Sequence, residues 1–85
     1  MGKEWVEGRL GYNMDNDRYG LLVSDLWVND GFHCGECLQI MIEGKWIDTS
    51  FEMAWENGKN EWYLTDTDIR GTDIEYTRAR VQRWV

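Results

Sequence analysis

The sequence has no proline, a single histidine and only two cysteines. Without a second Cys/His cluster, a four-ligand zinc site has no complete ligand set, so no metal is expected. One histidine, no P-loop and no glycine-rich dinucleotide fingerprint predict no catalytic residues and no cofactor. The apolar runs fall far short of the ~20 residues of a membrane span, and no signal-peptide pattern is present. These absences predict a soluble, cytoplasmic protein with reduced thiols that is not an enzyme.

Basic side chains are also scarce, and the charges are unevenly distributed. The formal net charge is −7, and residues 1–68 carry fourteen acidic and five basic side chains, whereas residues 69–85 carry two acidic and four basic ones. An acidic body repels phosphate and anionic lipid, which disfavours nucleic acid and membranes as partners. The charge either predicts a basic protein partner or serves solubility alone.

Aromatic side chains are what the chain has in abundance. Six Trp, four Tyr and two Phe occur in 85 residues, and each enclosed large ring buries about 150–250 Å². A single domain spanning 1–85 has room for one hydrophobic core, so most rings are expected inside it. Trp and Tyr side chains left outside are typical of a protein-binding face.

Turn residues divide the chain into short alternating segments, which are typical of strands. Leu38, Ile40 and Ile42 share one face of their segment, and Asn57-Gly58 is the strongest short hairpin signal. The predicted strands are 4–12, 18–23, 25–30, 37–43, 46–55 and 61–65. The pattern predicts an all-β fold, in which a small antiparallel meander closes into an SH3-like barrel.

Residues 72–85 fit two structures. The TDIE stretch at 72–75 has the capping-box pattern of a short C-terminal helix. A strand instead places Ala79 and Val81 inward, with Arg78 and Arg80 outward. The β-branched and aromatic content favours the strand, which also gives the meander a closing partner, and the short helix is the alternative.

Several short motifs occur in a particular order along residues 8–81. They are NDRYG before a Trp-bearing strand, HCG before a hydrophobic strand, GKWIDT, Glu followed by WYL, and a late Gly before a strand that carries Arg. In this order and spacing the chain resembles the domain of unknown function 5348 family. The resemblance implies a small cytoplasmic protein of Gram-positive bacteria and their mobile elements, and it implies no activity.

The segment GFHCGEC at 31–37 holds both cysteines and the histidine. We interpret Gly31, His33, Cys34, Gly35 and Cys37 as a structural turn. The two glycines would supply unusual backbone angles, the histidine would bond a carbonyl, and the cysteines would act as small apolar side chains. A metal site lacks its second ligand pair, and a redox pair lacks the helix N-terminus that activates such thiols.

Aromatic and arginine side chains supply the candidate binding residues, which are Trp27, Trp55, Tyr76, Arg78, Arg80 and Trp84. Arginines and aromatic rings on a strand suit a nucleotide or single-stranded nucleic acid, unless the arginines pair with the acidic excess instead. The sequence predicts a non-catalytic module that binds a basic or nucleic-acid-handling protein in a phage or mobile-element setting. The alternatives are a nucleic-acid-binding barrel and a metal- or thiol-dependent protein centred on the GFHCGEC segment.

Overall fold

The computed structural model describes residues 2–84. Within them the chain forms seven strands and one turn of 3-10 helix at Gly71–Ile74. The strands are β1 (Lys3–Asn13), β2 (Arg18–Val23), β3 (Leu26–Asn29), β4 (Cys37–Ile42), β5 (Lys45–Glu56), β6 (Lys59–Leu64) and β7 (Arg78–Trp84). All pairings are antiparallel, so the predicted all-β class is confirmed.

The strands form one curled half-barrel sheet in the order β3-β2-β1-β7-β4-β5-β6. Two meanders, β1-β2-β3 and β4-β5-β6, are each built from neighbours in the chain. β7 lies between them and pairs with both β1 and β4. The two edges of the sheet are therefore β3 and β6.

The curl comes from two long strands that change partners halfway. The first half of β1 pairs with β7 through Lys3–Arg9, and its second half pairs with β2 through Arg9–Asn13. β5 likewise passes from β4 to β6 at Ser50 and Phe51. A strand shared in this way carries the right-handed twist of two sheet segments, so the sheet bends around one side.

Three hairpins have a two-residue turn between their strands, and both residues of each turn have positive φ. The values are 50° and 79° at 43–44, 51° and 76° at 57–58, and 50° and 65° at 24–25. This is the type I′ geometry that matches strand twist, and it confirms the hairpin predicted at Asn57-Gly58. The turn at 24–25 contains no glycine, and the sequence pattern had placed Asp25 inside a strand.

Residues after Tyr76 form a strand, as favoured, and the fully buried Ala79 pairs with Gly8 of β1. The TDIE segment contributes only to the single 3-10 turn, in which Ile74 is buried. Over the described part of this segment, residues 72–84, the structure contains no α-helix, and Val85 lies outside the described residues. Within residues 2–84, no helix has the length and apolar character needed to cross a membrane.

A single cluster of buried side chains fills the concave side of the sheet. Its centre is Phe51, whose ring lies 4.9 Å from that of Phe32, 6.3 Å from that of Tyr19 and 6.1 Å from that of Trp62, centre to centre. Aromatic pairs at these separations add to the free energy gained by burial. The core is therefore mainly aromatic, and it joins β2 to β5 and β6 across the curl.

Replacing Ile40, which is fully buried in β4, tests this core. Ile40→Ala is expected to lower the free energy of unfolding by about 2–5 kcal/mol, because it removes buried methyl groups and leaves a cavity. Cys37→Ala, at the exposed start of the same strand, should change it by less than about 0.5 kcal/mol. Urea unfolding measures both values, and equal losses would contradict the assignment of faces.

Candidate functional site

The GFHCGEC segment is a turn bonded to β5. The N–H of Gly35 donates to the carbonyl of Phe51 at 2.7 Å, and the N–H of Phe51 donates to the carbonyl of Glu36 at 3.1 Å. The carboxylate of Glu36 accepts the backbone N–H of His33 at 2.8 Å. These bonds close the turn before β4 begins.

The two glycines of this turn serve different purposes. Gly35 has φ of 86°, as predicted. The prediction is wrong for Gly31, whose φ is not positive. A Cβ there would lie only 2.6 Å from the side-chain amide of Asn16, so Gly31 permits the close approach of the β1–β2 loop.

The cysteines are not core residues, because both Cys34 and Cys37 are exposed free thiols. The buried apolar side chain of the turn is Phe32. The imidazole of His33 makes none of the described hydrogen bonds, and the residue bonds through its backbone N–H instead. Among residues 2–84, no three or more His, Cys, Asp or Glu side chains are grouped for a metal.

On the outer face of the sheet, Arg80 lies between two indole rings. Its guanidinium carbon is 4.0 Å from the ring centre of Trp5 and 4.3 Å from that of Trp46. Its Nε–H donates to the side-chain carbonyl of Gln39 at 2.8 Å. These contacts tie β7 to β1, β4 and β5 and fix the guanidinium by cation–π attraction.

Two other C-terminal arginines form ion pairs with β1. Arg78 lies 2.7 Å from the carboxylate of Glu7, and Arg83 lies 3.0 Å from that of Glu4. Together with the stacked Arg80, these arginines make contacts within the sheet. Pairing with acidic side chains is the alternative to nucleic-acid binding that the sequence left open, and this pairing is observed for Arg78 and Arg83.

The exposed aromatic residues predicted for binding lie on different elements of the sheet. Trp27 is 40% exposed, and Trp55, Tyr76 and Trp84 are each more than 70% exposed. They lie on β3, on β5, immediately before β7 and at the end of β7. None of the four lines either of the clefts described below.

A cleft of about 560 Å³ lies between the β1–β2 loop, β6 and the 3-10 turn. We call it the aromatic–acidic cleft. It is lined by Tyr12, Asp17, Tyr19, Met53, Asn60, Glu61, Trp62, Gly71, Thr72 and Glu75. Three of these side chains are aromatic, three are carboxylates and none is basic.

The floor of the aromatic–acidic cleft is held rigidly. The hydroxyl of Tyr19 donates to the carbonyl of Gly71 at 2.9 Å, and the indole N–H of Trp62 donates to the carbonyl of Asp17 at 3.0 Å. The ring of Tyr12 meets that of Tyr19 edge to face, with centres 5.2 Å apart. The rings are therefore fixed in place without any ligand.

Two rim carboxylates are held by Tyr12. Asp17 accepts its hydroxyl at 2.7 Å, and Glu75 accepts its backbone N–H at 2.9 Å. Neither carboxylate forms an ion pair within residues 2–84, whereas Glu61 pairs with Arg70 at 3.2 Å. The rim therefore presents uncompensated negative charge beside aromatic rings.

This arrangement disfavours ionised tyrosine. The hydrogen bond to Asp17 raises the pKa of Tyr12 above its usual 10.0, with smaller contributions from burial and from the negative charge of Asp17. Burial raises the pKa of Tyr19, and the charge of Glu75 adds to the effect. Both phenols stay neutral donors well beyond neutral pH.

A second cleft, of about 470 Å³, opens where β4 and β7 diverge. Its lining includes Trp5, Cys37 and Arg83. Within it, the amide of Gln39 donates to Asp48 at 2.7 Å, and Arg83 is ion-paired to Glu4 of β1. Its lining thus includes a basic side chain, unlike that of the aromatic–acidic cleft.

Sequence patterns did not identify the aromatic–acidic cleft. Its lining comes from five stretches of chain, around residues 12, 17–19, 53, 60–62 and 71–75. The one local signal is the NDRYG stretch, which contains Asp17 and Tyr19. The other residues that line the cleft lie far apart in the sequence, and the curvature of the sheet brings them together.

The bond between Tyr12 and Asp17 predicts a titration. Asp17→Asn should lower the pKa of Tyr12 toward 10.0, since it removes the charged acceptor. Tyrosinate absorbance measures this, with Tyr12→Phe identifying the group. Asp15→Asn, at an exposed neighbour in the loop, should leave the titration unchanged.

The same shift affects stability. The pKa of Tyr12 is higher in the folded than in the unfolded protein. Its hydrogen bond therefore contributes fully to the free energy of unfolding below about pH 10, and this contribution is lost as the pH rises through the pKa of the folded state. Tyr12→Phe should remove this part of the alkaline loss of stability. An unchanged alkaline profile in Tyr12→Phe would contradict the assignment.

The family described as Domain of unknown function (DUF5348) matches residues 2–81. No curated protein and no solved structure matches the chain. The match spans nearly all of the sheet, from the start of β1 to the middle of β7, and includes the whole lining of the aromatic–acidic cleft. The chain belongs to the DUF5348 family.

Proposed function

We propose that this protein is a non-catalytic module that binds the basic side chains of a protein partner in the aromatic–acidic cleft. One observation carries the proposal. The cleft combines three aromatic rings with three carboxylates, and no basic side chain lines it. Arginine and lysine are the side chains that both groups attract.

The geometry favours a cation over a neutral ligand. A guanidinium or ammonium on the face of Tyr12 gains cation–π attraction, and the carboxylates of Asp17 and Glu75 lie beside it to neutralise the charge. Trp62 is buried, and Arg18 already lies 5.7 Å from its ring centre, so it forms the floor of the cleft. The two carboxylates are already fixed by Tyr12, so binding requires little further ordering of the site. The net charge of −7 would speed the approach of a basic partner at low salt.

The proposal extends to the setting of the protein. We propose that the half-barrel is SH3-like. SH3 domains bind extended peptides in aromatic-lined grooves. A cytoplasmic modulator of a basic, nucleic-acid-handling protein, in a phage or mobile element, is the role that fits an acidic binding module. This role is inferred from the basic charge that the cleft would attract in a partner, and from analogy.

Direct binding of nucleic acid is the competing function. It would use Arg78, Arg80 and the neighbouring indoles, but the guanidinium of Arg80 is stacked and that of Arg78 is ion-paired. Freeing them for phosphates would break these contacts, and the acidic body would oppose the polyanion. We therefore favour the protein partner.

A labelled peptide of alternating arginine and serine tests the proposal by fluorescence anisotropy. Asp17→Asn combined with Glu75→Gln should raise the Kd about 5- to 30-fold, because two partly exposed ion pairs contribute about 0.5–1 kcal/mol each. The matched control combines Glu43→Gln with Asp66→Asn, both exposed and outside the cleft. It changes net charge equally and should leave the Kd within about twofold.

The same assay is repeated with single-stranded DNA and RNA that carry the same label. If both double variants raise the Kd of the peptide equally, binding depends only on overall charge. This result would contradict the proposal that the peptide binds in the cleft. Tight binding of either nucleic acid, abolished by Arg78→Ala with Arg80→Ala, would favour the competing function.

A further inference from the structure

The two edges of the sheet are protected to different degrees. β6 carries the charged Lys59 and Glu61, and Arg70 bridges its outer side at Tyr63. β3 contains no charged side chain, and no strand of residues 2–84 pairs with its outer side. Unprotected edges are sites at which another chain adds as a strand.

The pairing of β3 with β2 shifts register between Leu21 and Leu22, so only the first part of β3, up to Trp27, has regular hairpin pairing. That part can accept another chain. Val23 and Leu26 flank the two-residue turn as a pair, and in such hairpins this pair shares both hydrogen bonds. The N–H and C=O of Trp27, the next residue, therefore point away from β2. One donor and one acceptor are available at the centre of the edge.

Apolar side chains surround these groups. Leu26 is 73% exposed, and Trp27 and Val28 are each 40% exposed. The ring of Trp27 is held against the sheet, where a Cβ on Gly20 would lie 2.9 Å from it. The edge therefore offers a rigid apolar strip together with unpaired backbone groups.

Charge selects the occupant. Exposed Asp25 and Asp30 flank the strand, and the carbonyl of Asp30 is held by the side-chain amides of Asn13 and Asn16 at 3.0 and 2.8 Å. Two copies paired antiparallel along β3 would bring four carboxylates, an Asp25 and an Asp30 from each, to one short junction. Like charges close together are destabilising, and both copies carry −7, so a second copy is disfavoured.

We propose that β3 accepts an extended segment of a protein partner as an added strand. The segment has a β-branched or apolar centre and Lys or Arg at both ends, five residues apart, opposite Asp25 and Asp30. Strand addition supplies main-chain hydrogen bonds, and the flanking charges set the register. The edge is separate from the aromatic–acidic cleft, so this proposal does not depend on the function proposed above.

A labelled, end-capped peptide with the core Lys-Thr-Val-Thr-Val-Lys tests the edge by anisotropy. Two altered peptides serve as controls: one has Glu in place of both Lys, and one has N-methylated threonines, the residues whose N–H groups would face β3, so that they cannot donate hydrogen bonds. Both should bind at least about tenfold more weakly. Hydrogen exchange of the Trp27 amide should slow when the unaltered peptide is bound.

Protein variants locate the site. Leu26→Lys with Val28→Lys should raise the Kd at least about tenfold, because lysine blocks strand edges. Trp55→Lys with Trp84→Lys adds the same charge at exposed apolar positions off this edge and should leave the Kd within about twofold. Asp17→Asn with Glu75→Gln should also leave it unchanged, so the two proposals fail separately.

Three results would overturn the inference. Undiminished binding of the N-methylated peptide would show that no strand is added. Undiminished binding to Leu26→Lys with Val28→Lys, confirmed as folded by circular dichroism, would place the peptide elsewhere. A dimer in sedimentation equilibrium that this variant dissociates would make a second copy the occupant.

Discussion

The fold depends on the position of β7 between β1 and β4. It pairs with β1 over seven residues but with β4 only at Arg80 and Ala79, and among residues 2–84 no other strand pairing joins the two meanders. Side chains reinforce this short junction on both faces. Ala79 is fully buried on the inner face, while the Arg80 guanidinium lies between Trp5 and Trp46 on the outer face.

The junction also positions the aromatic–acidic cleft. One wall comes from the first meander, through Tyr12 and Asp17, and another from the second, through Trp62. The bond from the Trp62 indole to the Asp17 carbonyl spans the two. The 3-10 turn before β7 adds Glu75, whose carboxylate accepts the Tyr12 N–H. The same chain segment that completes the sheet therefore completes the rim.

Local features of the sequence predicted most of the strands. Alternation placed Leu38 and Ile40 inside, and Asn57-Gly58 marked a hairpin because both positions require positive φ. The neighbours of β7 could not be predicted, since pairing between residues about 40 apart, with β4, or 69 to 81 apart, with β1, leaves no local pattern. The turn at 24–25 was missed because its φ values are positive without a glycine.

The aromatic residues show where sequence reasoning ends. Most were expected inside, and this prediction is wrong. Of the twelve rings only Tyr19, Phe32, Phe51 and Trp62 are buried, and six others are exposed. Which rings stay outside depends on the phase of each strand and on its place in the sheet. The cleft residues were missed for the same reason, because curvature brings distant residues such as Asp17 and Glu75 to one rim.

The long reach of the β1–β7 pairing has a consequence for folding kinetics. Each meander forms from neighbouring segments, but β1 must find a strand 69 residues away at the Arg9–Arg78 pair and 81 residues away at the Lys3–Trp84 pair. Closing such a loop costs conformational entropy before any contact offsets it, so the rate should be set by this encounter and not by the hairpins. During synthesis the two meanders stay unjoined until β7 has emerged, and until that point the open flanks of β1 and β4 are exposed to incorrect pairing.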